Sequence, residues 1–200
     1  MTSTIGKTMS PLQNCQFRRL FIARSISLLG TGIATIALAF LAYHLQPKSA
    51  SLIIGTALVI KMVAYIALSP VFGHFAERVS RKKFLVTMDV IRFSCLLVIP
   101  FVTFIWQIYV LIFIISACSA GFTPVFQSVI PEILPDEAVY SKALILTRVA
   151  YNVEVLLSPA LSALFLIFYN FHSLFLLNAI TFLMSALLIL TVSFSPKSRT

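Results

Sequence analysis

Few groups in this chain can carry charge or a proton inside an apolar environment, and their spacing is informative. Lys61 and Glu154 each stand about eleven residues inside separate apolar stretches, which puts each about 16 Å deep if those stretches are helical spans. Equal depth and opposite sign suggest a buried pair, or two groups on a polar path through the apolar layer. A fixed structural ion pair, or a Lys61 that faces a water-filled cavity alone, accounts for the same residues. A carboxylate in such surroundings can also carry a proton, so Glu154 is the candidate proton-carrying group. Asp89 and Arg92 are three apart and share a helix face; they are expected to neutralise each other in a structural role. Arg24 and Arg148 lie near the ends of their stretches, where long side chains can snorkel to the interface. A charge at a span centre costs about 2.5–3.5 kcal/mol on insertion scales, so interior charge is either paired or functional. Asn152, Gln127 and Pro159 complete the polar and helix-bending candidates for a substrate pathway, with a packing kink as the alternative for Pro159.

These residues need membrane spans to position them, and the composition supplies spans. The chain has 200 residues, 60% of them hydrophobic and only 10% charged, with a mean hydropathy of +1.01. Soluble domains carry about 25% charged residues, so water-soluble enzymes and disordered chains are excluded as classes. Six apolar stretches run at about 20–45, 52–72, 84–105, 109–129, 144–169 and 173–194. Each is long enough to cross about 30 Å of hydrocarbon as a helix, and none alternates as a barrel strand does. The first is too long for a signal-peptide core and no small-residue cleavage site follows it. Residues 1–19 and 195–200 read as terminal segments flanking the bundle at 20–194.

The net charge of +9 reads as topology. With the N-terminus in the cytoplasm, Lys7, Arg18, Arg19, Arg78, Arg81, Lys82, Lys83, Lys142, Lys197 and Arg199 all fall inside, and Lys48 alone falls outside. That asymmetry places both termini in the cytoplasm and removes a nucleic-acid partner, because the basic charge is distributed over loops. The three cysteines form no CxxC pair, and His44, His74 and His172 are far apart in sequence. No metal site is expected from them. No phosphate-binding loop, nucleophile motif or dinucleotide fingerprint appears, so the chain is not expected to be an enzyme.

The segment joining spans two and three is the most specific: Gly73-His74-Phe75-Ala76-Glu77-Arg78-Val79-Ser80-Arg81-Lys82-Lys83. It resembles the signature loop of the major facilitator superfamily, Gly-x-Leu-Ala-Asp-Arg-x-Gly-Arg-Lys/Arg. Gly73, Ala76, Arg78, Arg81 and Lys82 match; Phe75, Glu77 and Ser80 replace Leu, Asp and Gly. Gly73 is expected to serve a close approach or an unusual dihedral where the helix ends. The cations are expected on the negative C-terminal end of span two, with Glu77 pairing with Arg78, Arg81 or a helix N-terminus. The resemblance implies that Glu77 helps to hold two six-helix halves in one of their alternating states.

A second resemblance covers Phe122-Thr123-Pro124, Ser128-Val129-Ile130-Pro131-Glu132-Ile133-Leu134-Pro135-Asp136-Glu137 and Ala143-Leu144, together with Phe17-Arg18-Arg19-Leu20-Phe21-Ile22-Ala23-Arg24. These are similar to macrolide-efflux and enterobactin-exporter-like members of the superfamily. Pro131 and Pro135 are expected to stop the fourth helix, and Asp136 and Glu137 to open the fifth. The chain departs from many proton-coupled relatives at Ile114, Ile115 and Ser116, where span four carries no Arg. The resemblance implies an all-α integral membrane fold of six transmembrane helices, arranged as two inverted three-helix repeats, equal to half of a transporter. It implies a multi-pass protein of the bacterial inner membrane that exports a small amphipathic molecule such as a drug or siderophore. No cofactor is implied beyond coupling to protons. The partners implied are membrane lipids, the substrate and a second six-span unit, either another copy or a separately encoded half. The alternatives are movement of a lipid or lysolipid, and a truncated six-span protein that does not transport.

Overall fold

The computed structural model describes residues 10–75 and 80–192. Six long helices account for nearly all of them: α1 (Cys15–Leu45), α2 (Ala50–Phe75), α3 (Arg81–Val98), α4 (Ile105–Ile133), α5 (Glu137–Phe168) and α6 (Phe171–Leu190). Each is long and apolar enough to cross a membrane, and the described residues contain no strand. Within hydrocarbon a helix satisfies its own backbone groups, which is why every apolar run takes this form.

The helix ends are set by identifiable residues. Asn14 caps α1 by accepting from the Gln16 and Phe17 amides at 2.9 and 3.2 Å. Asp136 caps α5 in the same way, accepting from Ala138 at 2.9 Å and Val139 at 3.1 Å. The Gln107 side chain reaches back to the amides of Thr103 and Phe104, both at 3.1 Å, and so starts α4. Three ends differ from the sequence expectation. α3 gives way at Val98 to a short 3-10 turn containing Pro100, so the chain from Ile105 belongs to α4. Pro131 does not stop α4, which continues to Ile133. The stop comes from Pro135, which holds Leu134 in a non-helical conformation (φ −125°, ψ 81°) because its ring crowds the preceding residue out of the helical region. Finally, α1 begins five residues before its apolar run does, because its Asn14 cap lies in polar sequence, whereas α5 begins at Glu137 behind Asp136, as expected.

The packing is two-fold. α1 lies against α6 and α5, while α4 lies against α3 and α2; α3 and α6 pack on each other. Exchanging α1–α3 with α4–α6 leaves this list of neighbours unchanged. The two triplets run in opposite directions through the membrane, so they form an inverted repeat. α1 and α4 are therefore central, α3 and α6 form the back, and α2 and α5 stand on the flanks as the least buried spans.

Two apolar clusters fill the bundle. One, at the end where α1, α3 and α5 begin, contains Phe17, Leu20, Phe84, Phe122, Phe126 and Ile130. The other, at the opposite end, contains Ile33, Leu41, Leu96, Ile108, Phe175 and Phe182. Between them lies a belt of buried polar residues, including Ser27, Asp89, Arg92, Ser119 and Ser185. Lipid tails are as apolar as leucine, so close packing and hydrogen bonds hold membrane helices together. Gly30 and Gly32 show this directly. A Cβ on Gly30 would collide with Thr181 and Asn178 of α6, and one on Gly32 with Ser158 and Glu154 of α5.

Candidate functional site: a charged cavity between α1, α2, α4 and α5

A cavity of about 590 Å³ opens between the central and flanking helices. Its α5 wall is a stripe at helical spacing: Leu144, Thr147, Arg148, Tyr151, Glu154, Val155, Ser158 and Pro159. α1 contributes Arg24, Leu28, Thr31, Gly32 and Thr35, again three and four apart. α2 supplies Lys61, Met62 and Tyr65, and α4 supplies Ser119, Thr123, Phe126 and Gln127. Arg92 reaches in from α3 behind them.

Lys61 and Glu154 line this cavity together but do not form the expected pair. Among the described residues the ion pairs within 4.0 Å are Arg81 with Glu132 and Arg92 with Asp89. Lys61 stands on α2 and Glu154 on α5, and these flanking helices do not pack on each other. The cavity lies between them, and both side chains contribute to its wall. Glu154 is recessed at 7% exposure in the α1–α5 seam beside Gly32. Its carboxylate accepts a hydrogen bond from Ser158 at 3.3 Å. Ser158 in turn stands beside Pro159, through which α5 continues as helix.

Asp89 and Arg92 do pair, and both are fully enclosed. Arg92 also donates to the Met88 carbonyl at 3.3 Å and to the hydroxyls of Ser27 and Ser119 at 3.4 and 3.5 Å. Its guanidinium lies 4.8 Å from the Phe122 ring centroid and 4.5 Å from that of Phe182. The Ser185 hydroxyl donates to Asp89 at 2.7 Å. One ion pair thereby ties together α1, α3, α4 and α6.

The cationic pair Arg24 and Arg148 does not behave as sequence position suggests. Both line the cavity. Arg24 donates to Thr123 at 3.1 Å and lies 5.1 and 5.7 Å from the Phe122 and Phe126 ring centroids. The early start of α1 at Cys15 places Arg24 more than two turns into the helix, where it shares the cavity-lining stripe with Leu28, Thr31 and Thr35. Asn152 goes the other way. It falls just past the edge of the α5 stripe, is exposed, and is not part of the cavity wall. Gln127 and Pro159 do line it.

Of the α2–α3 connection, Ala76, Glu77 and Arg78 lie outside the described residues. Gly73 sits inside α2, which continues to Phe75, and no described glycine has positive φ. Ser80, in the place of the family's second Gly, takes an ordinary φ of −58°. Arg81 and Lys82 open α3 rather than closing α2. Arg81 pairs with Glu132 and donates to the Ser128 carbonyl at 3.0 Å. Lys82 donates to the carbonyls of Leu190 and, at 2.9 Å, Val192. α4 and α6 run antiparallel to α3, so their C-terminal carbonyls meet its first turn, and the cations complement those helix ends.

The structure brings His44 and His172 together, with ring centroids 6.2 Å apart beside Phe171. No cluster of three or more metal-ligating side chains occurs among the described residues. Sequence reasoning missed Ser27, Ser119, Tyr65 and Thr123 as well as the inward turn of Arg24. The available signal was on α1, where Arg24, Thr31, Gly32 and Thr35 repeat at helical spacing in an otherwise apolar run.

Six apolar helices in two inverted triplets around a charged cavity define a multi-pass membrane protein with the architecture of half a transporter. The family model of the Major Facilitator Superfamily matches residues 20–200, and the chain belongs to that superfamily. It is 28% identical over 173 residues to the MFS-type transporter YfiS of Bacillus subtilis, covering 85% of this chain and 40% of the relative. It is 26% identical over 175 residues to macrolide efflux protein A of Streptococcus pyogenes, covering 82% and 40%. A further Bacillus subtilis MFS-type transporter, YkuC, is 28% identical over 187 residues, covering 90% of this chain and 42% of the relative. The chain thus spans about 40% of the length of these relatives.

Proposed function

We propose that this chain forms one half of a secondary active transporter that exports a small amphipathic molecule across a bacterial inner membrane by alternating access. The observation that carries the proposal is the cavity at mid-height between α1, α2, α4 and α5, lined by both charged and apolar side chains. Midplane binding sites of this kind lie at repeat interfaces, where rocking of one bundle against another exposes them to each side in turn. The flanks α2 and α5 are the least buried spans and border the cavity, so a second six-helix unit would close it. That unit is another copy or a separate half. Similarity to a macrolide efflux protein supports the export direction. Glu154 is the carboxylate on the cavity wall, and it is the group we assign to proton coupling. We assign both termini to the cytoplasm, a reading supported by the excess of basic residues at the end where α1 begins. Lysolipid movement is the competing reading, and the assay separates the two. The chain, with its companion unit, is expressed in cells stripped of major efflux pumps, and accumulation of a fluorescent amphipathic dye is followed with and without a protonophore. Lower accumulation that the protonophore reverses is the expected result. Unchanged dye levels with an altered lysolipid content would replace export of small molecules by lipid movement.

A further inference from the structure

The charges on the cavity wall do not balance. Arg24, Lys61 and Arg148 are its cations, apart from Arg92, which is already satisfied by Asp89. Glu154 is the one carboxylate among the lining residues. The chain has only six acidic residues, and the other described ones are committed elsewhere. Asp89 is held by Arg92 and Ser185, and Glu132 by Arg81. Asp136 caps α5 and Glu137 lies in that helix's first turn, more than two turns from Arg148.

Burial sharpens the imbalance. Glu154 is recessed and hydrogen-bonded by Ser158, whereas Lys61 and Arg24 are half-buried and Arg148 is exposed. The lumen therefore meets the cations first. Arg24 uses one nitrogen on Thr123, and a guanidinium has five N–H donors in a fork that fits carboxylate, sulfonate or phosphate oxygens. Around these cations the wall is apolar and aromatic, with Leu28, Met62, Tyr65, Phe126 and Tyr151. Unpaired charge at membrane depth is costly, and a ligand anion is the counterion this wall lacks.

From this we infer that the cavity selects amphipathic anions: an aromatic or aliphatic body carrying a carboxylate, sulfonate or phosphate that is received by Arg24, Lys61 and Arg148. The inference rests on the transport reading of the same cavity and adds the sign of the substrate's charge. It runs against a cationic amine as the preferred cargo.

The test is equilibrium dialysis of the purified full chain in a nonionic detergent, using three probes with one naphthalene body: the sulfonate, the methanol and the methylammonium. The sulfonate is expected to bind at least about tenfold more tightly than the ammonium, by electrostatic complementarity in a confined site. Lys61→Gln and Arg148→Gln are each expected to weaken the sulfonate about fivefold. Retained saturable binding of the alcohol shows that the variants are folded. Competition by lysophosphatidylglycerol, set beside lysophosphatidylcholine, distinguishes an anionic lipid from a soluble anion, and either source supports the inference. Equal affinity for all three probes, or preference for the ammonium, overturns the charge selection and leaves the transport reading standing. Absence of saturable binding by any probe likewise overturns the charge selection, while the transport reading stands or falls by the dye assay on the chain with its companion unit.

Discussion

Replacing Asp89 by Asn is the sharpest perturbation of this bundle. It keeps the shape and leaves an oxygen for the Ser185 hydroxyl, which lies 2.7 Å from the native carboxylate. What it removes is the negative charge beside Arg92, a side chain only 1% exposed. The groups left to Arg92 are long hydrogen bonds of 3.3–3.5 Å and two ring faces. Those ring faces return up to about 2 kcal/mol when desolvated but do not discharge the cation. Removing one partner of a buried ion pair costs about 3–5 kcal/mol. With about 2–4 °C of midpoint per kcal/mol in a chain of this size, the loss is about 6–20 °C. Cys95 and Cys118 are buried at 8% and 5% exposure, so a thiol-reactive fluorophore reports unfolding once exposed Cys15 is changed to Ser. The double variant Asp89→Asn/Arg92→Met is the control, because it removes both buried charges together and leaves neither uncompensated. It should recover most of the lost midpoint. Additive losses, with the double variant less stable than either single one, would refute the claim that the pair acts as one neutral unit.

Other outcomes follow from the same geometry. Gly30→Ala and Gly32→Ala should each lose about 1–3 kcal/mol by overpacking the α1–α6 and α1–α5 seams, whereas Gly55→Ala, which meets nothing within 4 Å, should match or exceed the native midpoint. Glu154→Gln should leave dye binding to the chain intact but abolish the response of transport to a protonophore; transport with unchanged proton dependence would exclude Glu154 as the carrier. Glu132→Gln should cost less than about 1 kcal/mol, because the Arg81 bridge is one-third exposed on the Glu132 side and such pairs are weakly stabilising. In intact cells Cys15 should resist a membrane-impermeant maleimide, whereas a cysteine placed at Trp106, 62% exposed at the other end, should react; the reverse pattern would invert the proposed orientation.

What the sequence made legible was position along each helix axis. The six spans and the Asp136 start of α5 follow from run length and cap chemistry, which are local. What it left illegible was rotation about the axis and the neighbour across a seam. Arg24 reads as interfacial because the apolar run of α1 starts at Leu20; the helix starts earlier, at Cys15, and Arg24 falls on the face that lines the cavity. Asn152 and Tyr151 are adjacent, yet only Tyr151 lines the cavity. Pro131 carries a stop signal that α4 overrides: the helix goes on to Ile133, where Pro135 ends it.

The interior polar groups divide by what satisfies them, and this division separates scaffold from site. Asp89 and Arg92 satisfy each other and recruit Ser27, Ser119 and Ser185, so their charges are spent within the protein and fix four helices at mid-height. Lys61, Arg148 and Glu154 have no such closure: the first two have no carboxylate within 4.0 Å among the described residues, and the third has one serine. A bundle stabilised only by packing would have no reason to keep them, since each costs insertion free energy that apolar residues do not. Sequence composition cannot tell the two sets apart, because both consist of charged residues in apolar runs. Geometry can: a closed network belongs to the framework shared by α1, α3, α4 and α6, and the open charges belong to the cavity whose flanks, α2 and α5, are the least committed helices in the fold.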